Sequence, residues 1–288
     1  MSLVKRAKGH FVSSLSLFNR IFTRFFRFRF ARLLKYHDFL QIIAWLSPCS
    51  NGHTLIRIGA ERDGGYLLPD DLEEIVACFS PGTDQVIEFE RYFLDKGILC
   101  YLVDASIKEH PFKESHLIDF RFNYISAVSD GIYLSLEDWI SRSLSTANTH
   151  GDLILQMDIE GWEYQSLLAC PSSLLTKFRI IVIEFHDFHR CMDRYFYRDV
   201  IKPLLFKLSA CFDPVHIHPN NASPEFHIYG HRCPQAFELT LHRKDRRISE
   251  PQPCLTHLPN PLDRDNIPDG RKISISSMWP AHRPFSNS

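Results

Sequence analysis

The sequence predicts an α/β fold built on a doubly wound, mainly parallel sheet with helices on both faces. Short apolar runs alternate with helical patterns through the middle of the chain, which is typical of that class. The run Phe178–Phe185 is nearly all apolar, as expected for a strand that is covered on both faces. With 288 residues, of which 44% are hydrophobic, the chain is long enough for one large domain with extensions or for two small domains.

Strands and helices are predicted in alternation from residue 74 onward. The first strand is the β-rich run Glu74–Ser80, which ends at Pro81-Gly82, and a helical pattern follows from 84 to 96. Six further apolar or β-branched runs predict strands at 98–103, 120–128, 153–159, 178–185, 212–218 and 237–242. Three further helical patterns predict helices at 135–143, 162–169 and 195–209, of which the second is stopped by Pro171.

The patterns divide the chain into three regions: a basic helical extension at 1–46, a domain at 54–247 and a Pro-rich irregular tail at 248–288. In the first region an apolar stripe recurs at three- and four-residue steps through Phe11, Leu15, Phe18, Phe22 and Phe25. Arginines lie nearly opposite this stripe. Residues 11–35 therefore form either a helix packed on the body or a partner, or a helix lying on an anionic membrane surface. Residues 47–52 are typical of a linker.

Charge and cysteine usage argue against several classes of protein. The first 37 residues contain nine Lys or Arg and no acid, which leaves 24 basic residues against 34 acidic ones in the rest of the chain. Such an acidic body argues against nucleic-acid binding. The eight cysteines are scattered without a Cys-x-x-Cys pair, which argues against a zinc ribbon and favours a reducing compartment. Because no apolar run is long enough to span a bilayer, we expect a cytoplasmic protein, with or without peripheral membrane contact.

The segment Leu153–Tyr164 is the clearest indication of a site. Its apolar run ends in Asp158 and Glu160, which on an extended chain would point the same way. Two carboxylates at the carboxyl end of a buried strand are costly unless they bind something. In open α/β sheets, ligands bind in the crevice at that end of the strands. The segment therefore predicts part of a ligand-binding or catalytic site.

The ends of the first two predicted strands indicate the kind of ligand. Gly82 permits a close approach of the backbone, and the helix that follows offers free N–H groups. Without a Gly-x-Gly-x-x-Gly motif, this segment alone is typical of an ordinary strand–turn–helix. Asp104 ends the second strand about 20 residues later, where a carboxylate can accept hydrogen bonds from ribose hydroxyls. An adenosine-bearing ligand without phosphates fits this combination, and S-adenosylmethionine fits better than NAD or ATP.

The motif Met157-Asp158-Ile159-Glu160-Gly161-Trp162-Glu163 resembles the Asp-(Ile/Val)-Glu-Gly-x-Glu signature of FkbM-type methyltransferases. The resemblance extends from 54 to 272 through six further elements: Arg57-Ile58-Gly59, Asp63-Gly64-Gly65-Tyr66, Ser80-Pro81-Gly82, Ile183-Glu184-Phe185-His186, His216-Ile217-His218-Pro219-Asn220-Asn221 and Phe237-Glu238-Leu239-Thr240. It implies a Rossmann-like, seven-stranded sheet and an enzyme that uses S-adenosylmethionine. The implied acceptor is a hydroxyl of a glycan or of a small natural-product-like molecule.

The resemblance also implies roles for individual residues. Ser80, Pro81 and Gly82 would lie near the methionine end of the cofactor. Asp104 would hold the ribose, with Ala105 and Ser106 beside the adenine. Asp158 would contact the cofactor and face the reacting centre. The base that takes a proton from the acceptor hydroxyl would be one of four residues: Asp158, Glu160, Glu184 and His186.

Other interpretations of these residues remain open at this point. The same strand ends offer six candidate ligands for a divalent metal: Asp158, Glu160, Glu184, His186, His216 and His218. We do not favour the metal, and we expect His216 and His218 to stabilise a turn at Asn220 and Asn221 by hydrogen bonding. The alternative functions are a metal-dependent glycosyltransferase that uses Asp158-x-Glu160 and a non-catalytic scaffold docked on a membrane. Residues 63–66 are predicted to line the site, because no hairpin partner follows them.

Overall fold

The computed structural model describes residues 32–83, 87–109, 115–147, 151–253 and 258–273. The strands in these ranges are β1 (Cys49–Ser50), β2 (Leu55–Gly59), β3 (Gly65–Pro69), β4 (Ile75–Pro81), β5 (Leu99–Val103), β6 (Ile118–Arg121), β7 (Tyr124–Ser126), β8 (Tyr133–Ser135), β9 (Asp152–Met157), β10 (Phe178–Phe185), β11 (Phe212–Pro219), β12 (Glu225–Ile228), β13 (His231–Pro234), β14 (Phe237–Arg243) and β15 (Gln252–Pro253). The α-helices are α1 (Tyr36–Leu46), α2 (Glu88–Leu94), α3 (Leu136–Ala147), α4 (Glu163–Ala169), α5 (Ser172–Leu175), α6 (Arg194–Phe196) and α7 (Lys202–Cys211).

Seven strands form the central sheet in the order β11-β14-β10-β9-β4-β5-β6. Strand β14 is antiparallel to both of its neighbours, and the other neighbouring pairs are parallel. Compared with the doubly wound order 3-2-1-4-5-6, one antiparallel strand is inserted between the fifth and sixth positions. This arrangement confirms the predicted α/β class and the mainly parallel sheet. The chain leaves β4 in one direction and returns on its other side at β9, so the topological switch point lies between these two strands.

Successive side chains of the strands point to opposite faces of the sheet and pack into two separate hydrophobic cores. The larger core packs Phe79 and Leu155 of the sheet against Trp139 of α3 and Leu204 of α7, with further residues of α1 and α4. The smaller core packs the opposite face of the sheet against α2 and the β2–β3 hairpin. Both faces are thus covered, as predicted, but in the described residues a hairpin shares the second face with a helix.

Several element boundaries differ from the sequence prediction. The strand predicted at 120–128 is two strands, because β6 pairs with β5 in the sheet whereas β7 pairs with β8 outside it. Between them, Asn123 donates a side-chain hydrogen bond to the carbonyl of Ile132, which redirects the chain. The helix predicted from 84 begins at Glu88, and residues 84–86 lie outside the described ranges. The helix predicted at 195–209 contains a π-helical turn, Tyr197–Ile201, just before Pro203, which cannot donate a backbone hydrogen bond.

Both flanking regions are joined to the body where they are described. Helix α1 buries Phe39, Ile42, Ile43 and Leu46 in the larger core. The predicted linker contains β1, which pairs with β15 of the Pro-rich tail. The predicted apolar stripe from Phe11 to Phe25 lies outside the described residues, and so does most of the proposed membrane-contacting segment 11–35.

Candidate functional site

A cavity of about 730 Å³ opens at the carboxyl ends of β4, β5 and β9, beside the topological switch point. This is where ligands bind in doubly wound sheets, and the volume is in the range of small-molecule sites. We call this cavity the switch-point pocket. Its lining combines acids, aromatic residues and glycines: Asp63, Gly64, Tyr66, Gly82, Thr83, Phe89, Glu90, Val103, Asp104, Ser106, Asn123, Tyr124, Ile125, Tyr133, Gln156, Asp158, Ile159, Glu160 and Trp162.

One end of the pocket is formed where β5 ends. Asp104 is mostly buried there, and its Oδ1 atom accepts a hydrogen bond of 2.7 Å from the backbone N–H of Ser106. This bond orients the carboxylate at the pocket wall. Ser106 lines the pocket, whereas Ala105, between the two, does not belong to the lining. A carboxylate in this position can accept hydrogen bonds from a diol such as that of ribose.

The loop after β4 is shaped by its neighbour in the sheet. Gly82 has a φ of +81°, and a Cβ atom there would come within 1.5 Å of the backbone oxygen of Asp158. The close backbone approach predicted for Gly82 is therefore made to the chain itself, and only glycine fits it. Pro81 accepts a backbone hydrogen bond of 3.2 Å from Asp158, which ties the two loops together. Ser80 and Pro81 are buried behind the lining and do not belong to it.

A row of hydrogen-bonded polar side chains that the sequence analysis did not identify forms part of the pocket wall. The Ser80 hydroxyl contacts Glu90 Oε1 and lies 2.5 Å from Gln156 Oε1, and Gln156 donates to the Tyr66 hydroxyl at 3.1 Å. One hydroxyl hydrogen cannot serve two acceptors, so a protonated Glu90 that donates to Ser80 satisfies the row. Burial raises the pKa of Glu90 to about 7, which favours that neutral form.

We expect Glu90→Gln to be more stable than the wild type at about pH 8, by about 2–3 kcal/mol, and to differ little at about pH 4.5. A pKa raised from 4.5 to about 7 means that the folded protein takes up a proton. The contribution of the neutral carboxyl is full below the unfolded-state pKa and is lost as the pH rises through 7. Glutamine stays neutral throughout. Urea unfolding of the wild type and the variant at both pH values measures this difference in stability. Glu88→Gln, at an exposed position on the same helix, is the control. The same pH dependence in both variants would contradict a buried neutral Glu90.

At the other end of the pocket, the chain turns directly after β9. The strand ends at Met157, Glu160 has a φ of +52° and Gly161 has a φ of +98°. The predicted extended backbone at Asp158–Glu160 is therefore wrong, because Glu160 lies in a left-handed turn, but the two carboxylates still converge on one site, with an oxygen of each within 4.8 Å of the other. Their side chains are 28% and 86% exposed, respectively, and both line the pocket.

His186 lies at the centre of a cluster of acids beside this turn. Its Nδ1 atom is 3.2 Å from Glu163 Oε1, which also accepts hydrogen bonds from the backbone N–H groups of Ile159 and Gly161. Its Nε2 atom lies 3.5–3.8 Å from one carboxylate oxygen of each of three further acids: Asp158, Glu160 and Glu184. The turn and the imidazole are therefore held by the side chain of Glu163. Asp158 does not cap helix α4, because the N-cap residue is Trp162 and the Asp158 Oδ1 atom has no hydrogen-bond partner among the described residues.

The cluster changes the protonation of its members. Burial lowers the pKa of His186, but the hydrogen bond to Glu163 and the surrounding carboxylates outweigh it and raise the value to about 10, so the ring is an imidazolium at neutral pH. Burial, together with the charge of Glu184, raises the pKa of Asp158 well above its usual range. The positive charge of His186 opposes this rise and favours the carboxylate form of Asp158, which is the form that can accept a proton from a hydroxyl.

A second group of acids lies behind His186. Asp63, Glu184 and Glu238 each place a carboxylate oxygen within 4.8 Å of the other two. Glu184 is buried and accepts a hydrogen bond of 2.6 Å from Asn220. Burial raises the pKa of Glu238 to about 8. Of the four predicted catalytic residues, Asp158 and Glu160 line the pocket, whereas Glu184 and His186 do not belong to the lining and lie behind them.

The remaining predicted residues are placed differently. Residues 63–66 line the pocket in part, but they form the tip of the β2–β3 hairpin, so the expectation that no hairpin partner follows them is wrong. The prediction that His216 and His218 stabilise the turn at Asn220 and Asn221 by hydrogen bonding is wrong: His216 hydrogen-bonds Asp263 at 2.8 Å, and His218 has no hydrogen-bond partner among the described residues. Asn221 instead accepts a hydrogen bond from the backbone N–H of Ile267 in the tail.

Three aromatic side chains at the rim of the pocket were not predicted from the sequence. Tyr124, Tyr133 and Trp162 line the pocket and are each more than 40% exposed. The ring centroids of neighbouring members are 6.0 Å and 6.3 Å apart. They come from separate short elements that are paired only in three dimensions, so no single stretch of sequence indicates them. Such exposed aromatic surface is typical of a binding face.

Comparison of the chain with protein-family models and with curated proteins gives no match. Within the described residues, no helix is both long and apolar enough to cross a membrane.

Proposed function

We propose that the chain is an S-adenosylmethionine-dependent methyltransferase of the FkbM type that methylates a hydroxyl of a glycan or small-molecule acceptor. The observation that carries this proposal is the placing of Asp104 and Asp158 in one pocket at the topological switch point. The seven-stranded sheet and the resemblance of the motif 157–163 support it further.

The charge of the pocket favours a cationic ligand over a phosphorylated one. Asp158, Glu160 and their supporting acids give one end of the pocket an excess of carboxylates around a single imidazolium. A pyrophosphate would be repelled there, whereas a sulfonium and an amino group would be attracted. The other end offers the Asp104 carboxylate for ribose hydroxyls. An adenosine joined to a positively charged sulfur matches both ends, and the residues therefore fit S-adenosylmethionine.

The pocket residues suggest how transfer would be assisted. When bound, S-adenosylmethionine would supply a methyl group activated by its sulfonium. Asp158, whose pKa is raised, would accept the proton of the acceptor hydroxyl as the hydroxyl oxygen attacks. His186, held by Glu163, would keep Asp158 in place through its positive charge. The aromatic rim of Tyr124, Tyr133 and Trp162 offers ring faces against which a sugar or other flat acceptor could pack, and so align it for attack.

One observation also favours a second candidate, the metal-dependent glycosyltransferase. Asp158, Glu160 and His186 each place one potential metal ligand atom within 4.8 Å of the others. A divalent cation there would reverse the local charge and allow a nucleoside diphosphate to bind. This candidate predicts binding of UDP or GDP with Mn²⁺ and no response to S-adenosylmethionine, which separates it from the methyltransferase.

We expect Asp104→Ala to weaken binding of S-adenosylhomocysteine by about 1–3 kcal/mol, or roughly 5- to 150-fold, because charged hydrogen bonds to the ribose would be lost. Isothermal titration calorimetry measures this, with Asp95→Ala as a matched control at an exposed position outside the pocket. A thermal melt shows that each variant is folded. Unchanged affinity in a folded Asp104→Ala protein would place the ribose elsewhere.

A further inference from the structure

A second cluster of potential metal ligands lies at the edge of the sheet, outside the switch-point pocket. His216 and His218 are two residues apart on the edge strand β11, so their side chains leave the same face of the strand. Asp263 comes from the tail and meets both of them. Its Oδ1 atom is 2.8 Å from His216 Nε2, and its Oδ2 atom is 3.6 Å from His218 Nδ1.

The His218 imidazole is not accounted for by hydrogen bonding. Its side chain is 9% exposed, and among the described residues neither ring nitrogen has a hydrogen-bond partner. Leaving a buried polar group unsatisfied costs free energy, and native structures rarely keep one without a reason. By contrast, His216 and Asp263 satisfy each other through their mutual hydrogen bond. A ligand that binds His218 would complete the cluster.

We propose that His216, His218 and Asp263 bind one divalent transition-metal ion of the zinc type. Two imidazole nitrogens and one carboxylate oxygen are a preferred donor set for such ions. With metal–ligand bonds of about 2.0–2.1 Å, neighbouring ligand atoms of a tetrahedral site lie about 3.3 Å apart. The distances of 2.8 and 3.6 Å involve different oxygens of Asp263, and one potential ligand atom of each residue lies within 4.8 Å of the other two, so side-chain shifts would bring the three atoms to this spacing.

The site has room for a fourth ligand. His218 and Asp263 line a separate cavity of about 480 Å³, which does not share residues with the switch-point pocket. Three protein ligands with one open position would accept a water molecule or a small anion there. Arg62, Arg264 and Lys272 line this cavity together with Glu61 and Asp265, so its charge is mixed and a water molecule is the expected fourth ligand.

Such an ion would fasten the tail to the sheet. Asp263 also accepts a backbone hydrogen bond of 2.7 Å from Asn260. Three residues further on, Asn266 donates hydrogen bonds to Glu238 and to Asp63, which lines the switch-point pocket. Metal binding at the edge of the sheet would therefore stabilise the segment that supports the pocket from behind. This inference does not depend on the methyltransferase proposal.

The test uses the untagged full-length protein, stripped with a chelator and titrated with Zn²⁺ alone. We expect about one equivalent of Zn²⁺ per chain to remain after gel filtration, a higher melting temperature, and slower proteolysis of the segment 258–273. The variants His218→Gln and Asp263→Asn should each lower Zn²⁺ affinity by about 100-fold or more, since loss of a direct ligand exceeds loss of a supporting contact. His227→Gln, at an exposed histidine, and Asp158→Asn should retain the ion.

Two results would overturn the proposal. One is a wild-type protein that retains no Zn²⁺, which would leave Asp263 as an ion-pair partner of protonated histidines. The other is loss of the ion in Asp158→Asn but not in His218→Gln, which would place the metal in the switch-point pocket. If His218→Gln fails to fold, the absorption spectrum of the Co²⁺-loaded Asp158→Asn variant still decides, because that variant lacks a ligand of the competing cluster of Asp158, Glu160 and His186. Intense tetrahedral bands support a site with histidine ligands, and an octahedral, water-like spectrum contradicts it.

Discussion

Methyl transfer by Asp158→Asn is expected to be slower than that of the wild type by roughly 10²-fold or more, the usual scale for a positioned acid–base group. Asparagine keeps the shape of the side chain and removes both its charge and its basicity. The affinity for S-adenosylhomocysteine should change much less, because the proposal places the adenosine at the opposite end of the pocket, beside Asp104. Single-turnover transfer from labelled S-adenosylmethionine, beside calorimetry on the same preparation, measures the two effects separately.

The stability of the same variant distinguishes a catalytic role from a structural one. Asp158 lies among carboxylates that raise its pKa, and its Oδ1 atom is buried with no hydrogen-bond partner among the described residues. Removing its charge should therefore leave the melting temperature unchanged or raise it. The matched control is Asp187→Asn, an exposed aspartate outside the lining whose φ of +51° asparagine also accepts. Near-normal turnover in Asp158→Asn would contradict the catalytic role of Asp158.

We expect Asp71→Ala to lower the free energy of unfolding by about 3–5 kcal/mol, the cost of removing one partner from a buried ion pair. Asp71 is buried beneath the amino-terminal end of the sheet. Its carboxylate receives hydrogen bonds from Arg246 at 2.6 and 2.8 Å, from Arg179 at 3.2 Å and from His242 at 3.1 Å. Without Asp71, the buried Arg179 guanidinium still contacts the Asp152 carboxylate but loses the second of its two carboxylate partners.

Urea unfolding at neutral pH measures this effect, with the exposed neighbour Asp70→Ala as the control. Burial opposes ionisation of Asp71, but the hydrogen bonds from Arg246 and His242 outweigh it and lower its pKa well below the usual range. Its contribution is therefore present above the unfolded-state pKa of about 4 and is lost only as the pH falls through the lower folded value. A difference from Asp70→Ala of less than about 0.5 kcal/mol would contradict the role of Asp71 as the centre of this network.

The sequence allowed correct prediction where one local pattern decides the structure. Phe178–Phe185 is nearly all apolar, and β10 has those same bounds with every residue buried. Asp104 and Asp158 each directly follow an apolar strand, so their place at the ligand-binding end of the sheet followed from topology alone.

What could not be predicted depends on contacts between distant segments. Gln156 lies inside an apolar run and gives a weak signal by itself, but its polar partners, Ser80 and Tyr66, come from β4 and β3. Glu90 appears on a helix as an ordinary charged residue, and only its burial shows that it is held neutral. Likewise, the left-handed turn at Glu160 is fixed by Glu163 and His186, so the direction of its side chain could not follow from strand alternation.

A crystal structure from crystals soaked with S-adenosylhomocysteine is the most direct test of the proposal that the protein is a methyltransferase. The methyltransferase account predicts density in the switch-point pocket, with the ribose hydroxyls within hydrogen-bond distance of Asp104 and the sulfur facing Asp158. Absence of the ligand from this pocket, together with density for UDP or GDP and Mn²⁺ at Asp158 and Glu160 in a parallel soak, would contradict the account and favour the glycosyltransferase.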